Sequence, residues 1–235
     1  MSSNSQWVAL HCYGAGEDKV LLNQNALLYG LQRDFSGPNS IDIDKDTQLQ
    51  LWPGALTPAE SGKYYDDLIA STPWRQDKIR LFGRHVAIPR LQAWYGDTHC
   101  HYSYSGLRLA PLPWTPQLLQ LKARVEQLCQ HRFNSVLLNL YRNGNDSNGW
   151  HSDDEPELGE QPVIASLSLG ATRRFKLRHK YDKTVAGITI NLNNGSLLVM
   201  SGHSQSHWQH CLPKTARPIE PRINLTFRNI LHGPN

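Results

Sequence analysis

The chain has 235 residues, with 24 Lys plus Arg against 20 Asp plus Glu, for a formal net charge of +4. That length can bury a full core without disulfides or a structural metal, and it suits one large domain or one domain with a modest extension. Four scattered cysteines without a Cys-x-x-Cys pair argue against a disulfide scaffold, and no run nears the roughly 20 apolar residues of a membrane span.

Residues 1–48 lack a sustained period and contain the turn-rich run from Asp34 to Ser40, so they read as an irregular or partly disordered N-terminal extension. The opening Met-Ser-Ser-Asn-Ser-Gln has neither the cationic nor the apolar part of a secretory signal. Residues 49–235 read as the folded domain, beginning with a short strand at Leu49–Trp52. Thr57-Pro58-Ala59-Glu60 has the form of a capping box with Pro at the first helical position, and the helix it opens should run to about Ser71. Thr115-Pro116 announces a second helix, in which Leu118, Leu121, Val125 and Leu128 make one apolar stripe. After Phe133 the pattern changes to short strands broken by Gly, Asn and Pro, at 135–142, 162–169, 173–180, 187–192, 195–200, 207–212 and 221–230. Strands following helices in this way predict an antiparallel sandwich or barrel faced by helices.

His151-Ser152-Asp153, with His210 downstream, offers two imidazoles and a carboxylate. This is the donor set with which non-haem Fe(II) oxygenases bind iron on one face, leaving positions open for other ligands. A His-x-Asp tripeptide alone is short enough to arise by chance, so its surroundings carry the weight. In the last strand, Arg222, Asn224, Thr226 and Arg228 alternate with Ile223, Leu225 and Phe227. A polar strand face usually meets water, yet two guanidinium groups and an amide also suit a dicarboxylate. Asn139 and Tyr141 share one face of strand 135–142 and fit the same anion pocket. His203 and His207 are competing imidazoles and read as structural or surface residues. Glu155, two residues past Asp153, can line the same pocket and favour a cationic ligand, although the run Asp154-Glu155-Pro156-Glu157 also reads as a solvated acidic turn. Arg174, Lys176, Arg178 and Lys180 form a basic stripe, extended by Lys214 and Arg217. Such a stripe is usually a solvated face; beside a nucleic-acid site it becomes a phosphate track.

These motifs, together with Ile164-Ala-Ser-Leu-Ser-Leu-Gly170, resemble in content and order the AlkB family of Fe(II)- and 2-oxoglutarate-dependent dioxygenases. The likeness runs from about Leu81 to Ile230 and is strongest to the nucleic-acid repair branch, which includes the second and third human homologues. The resemblance implies a mainly β (α+β) fold, a double-stranded β-helix or jelly roll at 134–230, with an N-terminal helical layer and a nucleotide-recognition lid at about 80–110. It implies Fe(II) on His151, Asp153 and His210, 2-oxoglutarate held by Asn139, Tyr141, Arg222, Asn224 and Arg228, and O2 as a further co-substrate. In the lid, Tyr104, with Tyr102 on the same strand face, would stack on an extruded base whose other side meets His151. Phe82 matches a finger that fills the gap left by a flipped base, and weighs equally as a core residue.

The resulting expectation is oxidative demethylation of N1-methyladenine and N3-methylcytosine in DNA, single- or double-stranded, with RNA also open, by a monomeric, cytoplasmic (nuclear in a eukaryote) enzyme without a membrane partner. The alternatives are a dioxygenase directed at RNA modification or protein side chains, and a non-catalytic nucleic-acid-binding module.

Overall fold

A computed structural model describes residues 19–21, 37–43, 46–81, 83–100, 102–104 and 107–231. The first helix, α1 (Pro58–Ser71), starts where the capping box places it: the Thr57 hydroxyl accepts from Glu60 N at 3.2 Å, and the Glu60 carboxylate accepts from Thr57 N at 2.8 Å. Two of the helix's orphan donors are thereby satisfied. Helix α2 (Pro116–Cys129) opens with Thr115 accepting from Leu118 N and closes on Gln130 in the left-handed conformation. A single helical turn, α3, spans Ser204–His207.

The strands in chain order are β1 (Lys19–Leu21), β2 (Asn39–Asp42), β3 (Thr47–Trp52), β4 (Lys78–Leu81), β5 (Arg84–Ala87), β6 (Leu91–Gly96), β7 (Tyr102–Tyr104), β8 (Leu107–Leu109), β9 (Ser135–Tyr141), β10 (Asn148–His151), β11 (Ile164–Gly170), β12 (Arg173–His179), β13 (Ile188–Leu192), β14 (Leu197–Gly202), β15 (Trp208–Leu212) and β16 (Arg222–Arg228). They form a seven-stranded sheet in the order β2-β3-β14-β11-β16-β9-β6 and a five-stranded sheet in the order β1-β13-β12-β15-β10. β4–β5 and β7–β8 are separate antiparallel pairs. Among the described strands the ladders are antiparallel except that of β1 with β13. Two largely antiparallel sheets with helices on the outside of the larger one make the jelly roll that the strand pattern and family likeness predict.

The alternation of the central strands becomes two cores. Ile223, Leu225 and Phe227 of β16, with Val136, Leu138 and Leu140 of β9, pack outward with Leu118, Leu121 and Val125 of α2. Between the sheets, Ile164, Leu198 and Met200 of the large sheet pack with Phe175, Leu177, Ile190 and Trp208 of the small one. β16 is therefore a central strand, and both its faces are buried. Its polar residues do not face solvent; they face the other sheet. Gly170, opposite Arg222 in the register, has φ +85, and a Cβ there would lie 2.6 Å from Pro221 O and 2.9 Å from the Tyr65 ring. This glycine lets α1 and the start of β16 close on the same point.

Two differences from the sequence pattern matter. Strands β1 and β2 lie within the stretch read as irregular; they are too short to show a period of their own and exist by pairing with β13 and β3. His207 belongs to the α3 turn, not to the following strand, which begins at Trp208. Leu121 is fully buried between α2 and the large sheet. Leu121→Ala should therefore lower the unfolding free energy by about 2–5 kcal/mol, read as a shifted denaturation midpoint at unchanged m-value.

Candidate active site

β10 and β15 pair so that His151 lies directly opposite His210. Directly opposed residues project from the same sheet face, and the two imidazole centroids are 4.3 Å apart at 68°. β10 ends at His151, and two residues later Asp153 brings its Oδ1 to 4.0 Å from His151 Nε2. One potential ligand atom from each of the three residues lies within 4.8 Å of the other two, the one such group of His, Cys, Asp and Glu side chains among the described residues.

The protonation states suit a metal. His151 Nδ1 lies 2.8 Å from the Gly149 carbonyl oxygen, which can only accept, so Nδ1 donates there and Nε2 is the nitrogen on the side of Asp153. The Asn148 side-chain amide lies 3.1 Å from that Nε2. His210 is buried with Phe175 stacked 5.2 Å from it; burial, reinforced by His151, pushes its pKa down to about 3 against the pull of Asp153. Burial would raise the Asp153 carboxyl, but Arg228 foremost, with His210 and His151, holds it at about 2. Arg228 Nη2 donates to Asp153 Oδ1 at 2.6 Å. A buried, ionised carboxylate beside a buried, neutral imidazole is the state in which both can ligate, and two imidazoles with one carboxylate fit iron(II) with positions left open.

Facing this group from the large sheet is a row of polar side chains set by register. Gln92 is opposite Asn139, Asn139 opposite Asn224, and Asn224 opposite Ser168, across β6, β9, β16 and β11. Asn139 Oδ1 accepts from Arg90 Nε at 2.9 Å and Gln92 Nε2 at 2.8 Å, which leaves its amide hydrogens for another acceptor. Asn224 Oδ1 accepts from Arg222 and Ser166, and its Nδ2 donates to Thr226. Arg222 is 1% exposed, and Nη2 donates to the neutral Ser168 Oγ and Asn224 Oδ1. Its Nε is buried without a hydrogen-bond partner. Its guanidinium lies 5.5 Å from the centroid of Tyr141, and burial, with Arg173 nearby, pushes its pKa down to about 10. A buried cation with an orphaned donor and neutral partners is a receptor for an anion. The residues present thus fit a dicarboxylate co-substrate as well as a metal.

The structure brings together the predicted His151, Asp153 and His210, and separately gathers Asn139, Tyr141, Arg222 and Asn224. Arg228 joins the two groups, since at least one of its donors is engaged by Asp153. Glu155 is half-buried at the start of a 3-10 turn, Pro156–Leu158. Arg174, Lys176 and Arg178 project from β12 on the side away from Phe175 and Leu177. Arg178 stacks 4.3 Å from the centroid of the exposed Trp150 ring and donates twice to Gln209 Oε1, while Lys180 pairs with Asp154 at 2.8 Å. Lys214 and Arg217 are exposed. His203 and His207 stack on each other at 4.6 Å and are not in the three-ligand group. The β7 backbone carries Tyr102 and Tyr104 opposite Leu109 and Leu107; their side chains, and Phe82 altogether, lie outside the described residues. Sequence reading missed Arg90 and Gln92, whose partner Asn139 is 49 and 47 residues away. It also missed Gln205, which reaches Asp153 across 52 residues, and no local spacing signals such contacts.

Residues 48–228 match the 2OG-Fe(II) oxygenase superfamily. The chain is 44% identical over 196 residues to human alpha-ketoglutarate-dependent dioxygenase alkB homolog 3, covering 80% of this chain and 68% of that protein. It is likewise 44% identical over 160 residues to the mouse DNA oxidative demethylase ALKBH2, covering 66% of this chain and 67% of that one. Among solved structures, OsALKBH1 superposes with a TM-score of 0.57 at 16% identity, covering 81% of this chain and all of that one, a likeness of fold alone. The two-sheet frame, the two-histidine, one-carboxylate group and the orphaned arginine agree with these matches: the chain belongs to the 2OG-Fe(II) oxygenase superfamily, in its AlkB family.

Proposed function

We propose that this protein is an iron- and 2-oxoglutarate-dependent demethylase of alkylated nucleobases, acting on N1-methyladenine and N3-methylcytosine in DNA. The observation that carries this reading is the buried, anion-seeking Arg222 on the sheet face opposite a two-histidine, one-carboxylate group. A hydrolytic metal site gives no reason for such an arginine. The names of the relatives, which include DNA oxidative demethylases, support the substrate class.

In this reading His151 Nε2, His210 and the Asp153 carboxylate hold Fe(II). Arg222, with the Asn139 and Asn224 amides and Tyr141, holds 2-oxoglutarate, and Arg228 spans Asp153 and the co-substrate. With both groups bound, the centre would supply oxidation of the N-methyl group by O2, with the methyl carbon released as formaldehyde and 2-oxoglutarate converted to succinate and carbon dioxide. The chain's own contribution is to bind, orient and exclude water. Glu155 favours a base that carries methylation charge over a neutral one; at 4 Å and an effective dielectric near 20, opposite charges attract by roughly 4 kcal/mol before desolvation. The family's lid falls in this reading at about 80–110, where Tyr102 and Tyr104 would meet the extruded base and Phe82 would serve either as a gap-filling finger or as a core residue. Arg174, Lys176 and Arg178 follow the phosphates. The protein acts as a monomer, and among the described residues no helix is long and apolar enough to cross a membrane.

Methylated oligonucleotides test the reading. The full chain with Fe(II), 2-oxoglutarate and O2 should release formaldehyde from DNA carrying N1-methyladenine or N3-methylcytosine, and Asp153→Ala should not. Parallel single-stranded, duplex and RNA arms assign the preferred substrate; silence on all of them rejects the proposal. Arg222→Met removes the anion receptor together with its buried charge. It should weaken 2-oxoglutarate binding by about 30-fold or more, the equivalent of losing roughly 2 kcal/mol from a buried charged hydrogen bond. Anaerobic titration of the visible band of the Fe(II)–2-oxoglutarate complex reads this directly, and unchanged affinity would remove Arg222 from the pocket. The same variant should not destabilise the protein without co-substrate, because an uncompensated buried charge has been replaced by an apolar chain.

The pH dependence of the metal-free protein has a determined sign. His210 titrates near 3 when folded and near 6.5 when unfolded, so between these values the unfolded chain binds the extra proton. Stability contributed by neutral His210 is full above pH 6.5 and is lost as pH falls toward 3, by up to about 1.4 kcal/mol per pH unit. Melting curves between pH 7 and 5 should show this slope, and His210→Gln should flatten it; equal slopes in the two proteins would contradict the buried, neutral assignment.

A further inference from the structure

The ladder between β10 and β15 ends at His151, and its register shifts between Asn148 and His151. Ser152 and Asp153 therefore lie beyond the strand whose hydrogen bonds would otherwise place them. Two side-chain bonds to the segment that precedes His210 take over. Asp153 N donates to Gln205 Oε1 at 2.9 Å, and Ser152 Oγ donates to Trp208 O at 2.8 Å. Gln205 is 1% exposed, and its amide is itself oriented: Nε2 donates to Ser204 Oγ at 3.2 Å and faces Met200 Sδ at 3.7 Å, so Oε1 is the end presented to Asp153. Turning the amide over would set an N–H against the Asp153 N–H and strand both donors in a buried place.

We infer that Gln205 is a positioning residue for the metal centre, assisted by Ser152: together they fix the His151–Asp153 tripeptide to the chain segment that carries His210. This rests on the reading of His151, Asp153 and His210 as the metal ligands. The distal ligand and the two clamp acceptors come from one short stretch, 205–210. The separation of the two halves of the site is thus set by α3 and its exit, before any metal arrives. Arg228 holds the Asp153 carboxylate, and Gln205 holds its backbone, so the ligand is fixed at both ends.

Cobalt(II) binding by the full chain, followed without oxygen by its visible ligand-field bands and by calorimetry, separates this from the reading beneath it. Wild-type protein that takes up no cobalt(II) overturns the metal assignment itself. With wild-type binding in hand, Gln205→Met, which keeps the length and loses the acceptor, should weaken cobalt(II) binding by about 10-fold or more and shift the bands, as loss of an outer-shell partner does elsewhere. Gln205→Glu restores an acceptor at the same reach and should recover most of the affinity. Wild-type affinity and bands in Gln205→Met would overturn the inference, and so would equal losses in the Met and Glu variants, which would mark a packing effect. Should Gln205→Met fail to give a native circular-dichroism spectrum, Ser152→Ala decides: weaker binding with altered bands supports the clamp, and unchanged binding overturns it.

Discussion

A carboxylate removed from water protonates unless something charged prevents it, and this site requires Asp153 to stay ionised. Arg228 is what prevents it, at 2.6 Å and from the opposite sheet. That contact joins the end of β16 to the segment after β10, and so sets the spacing between the half of the site that can ligate a metal and the half that can receive an anion. A buried ion pair of this kind is weak evidence for stability, because desolvation consumes most of the Coulombic gain. Its value here lies in the charge state and placement of one ligand. Arg222, on the same strand face, is the complement: the Arg228 guanidinium has its carboxylate within the chain, and the buried Arg222 guanidinium has only neutral hydrogen-bond partners.

The inner face of the large sheet carries the cost of this arrangement. Gln92, Asn139, Asn224 and Ser168 sit side by side across four strands where an ordinary sandwich would place aliphatic residues. Each polar group removed from water costs unless it is bonded, and the network meets that demand by letting neighbours share acceptors. Asn139 Oδ1 takes two donors, and so does Asn224 Oδ1. The cohesion lost there is supplied elsewhere, by the apolar outer face of the same strands against α2 and by the apolar core between the remaining strands. One strand therefore serves the core with its odd-numbered residues and the site with its even-numbered ones, Ile223 and Arg222 being the clearest neighbours.

What was legible in the sequence is what is local. Caps showed in Thr57-Pro58-Ala59-Glu60 and Thr115-Pro116, and strand faces showed in the alternation of 222–228, because helix starts and pleats are written within a few residues. The motif order carried the family, and with it the candidate ligands. The alternation could not show that the polar side of β16 is buried, since burial depends on which sheet lies opposite. Partner choice was equally hidden. Nothing near Asn139 announces Arg90, and nothing near Asp153 announces Gln205, because those contacts exist only once β6, β9 and the α3 turn have been assembled.

The register shift between Asn148 and His151 has a consequence for how this protein can fail. Strand side chains alternate, so a slip of one residue exchanges the two faces entirely. Sliding β10 by one position along β15 would turn Trp150 into the interior and His151 out to solvent. Such a molecule would retain its cores and its melting transition, yet it would have lost its chemistry. The side-chain fastening beyond the strand's end is made only in the alignment that sets His151 opposite His210.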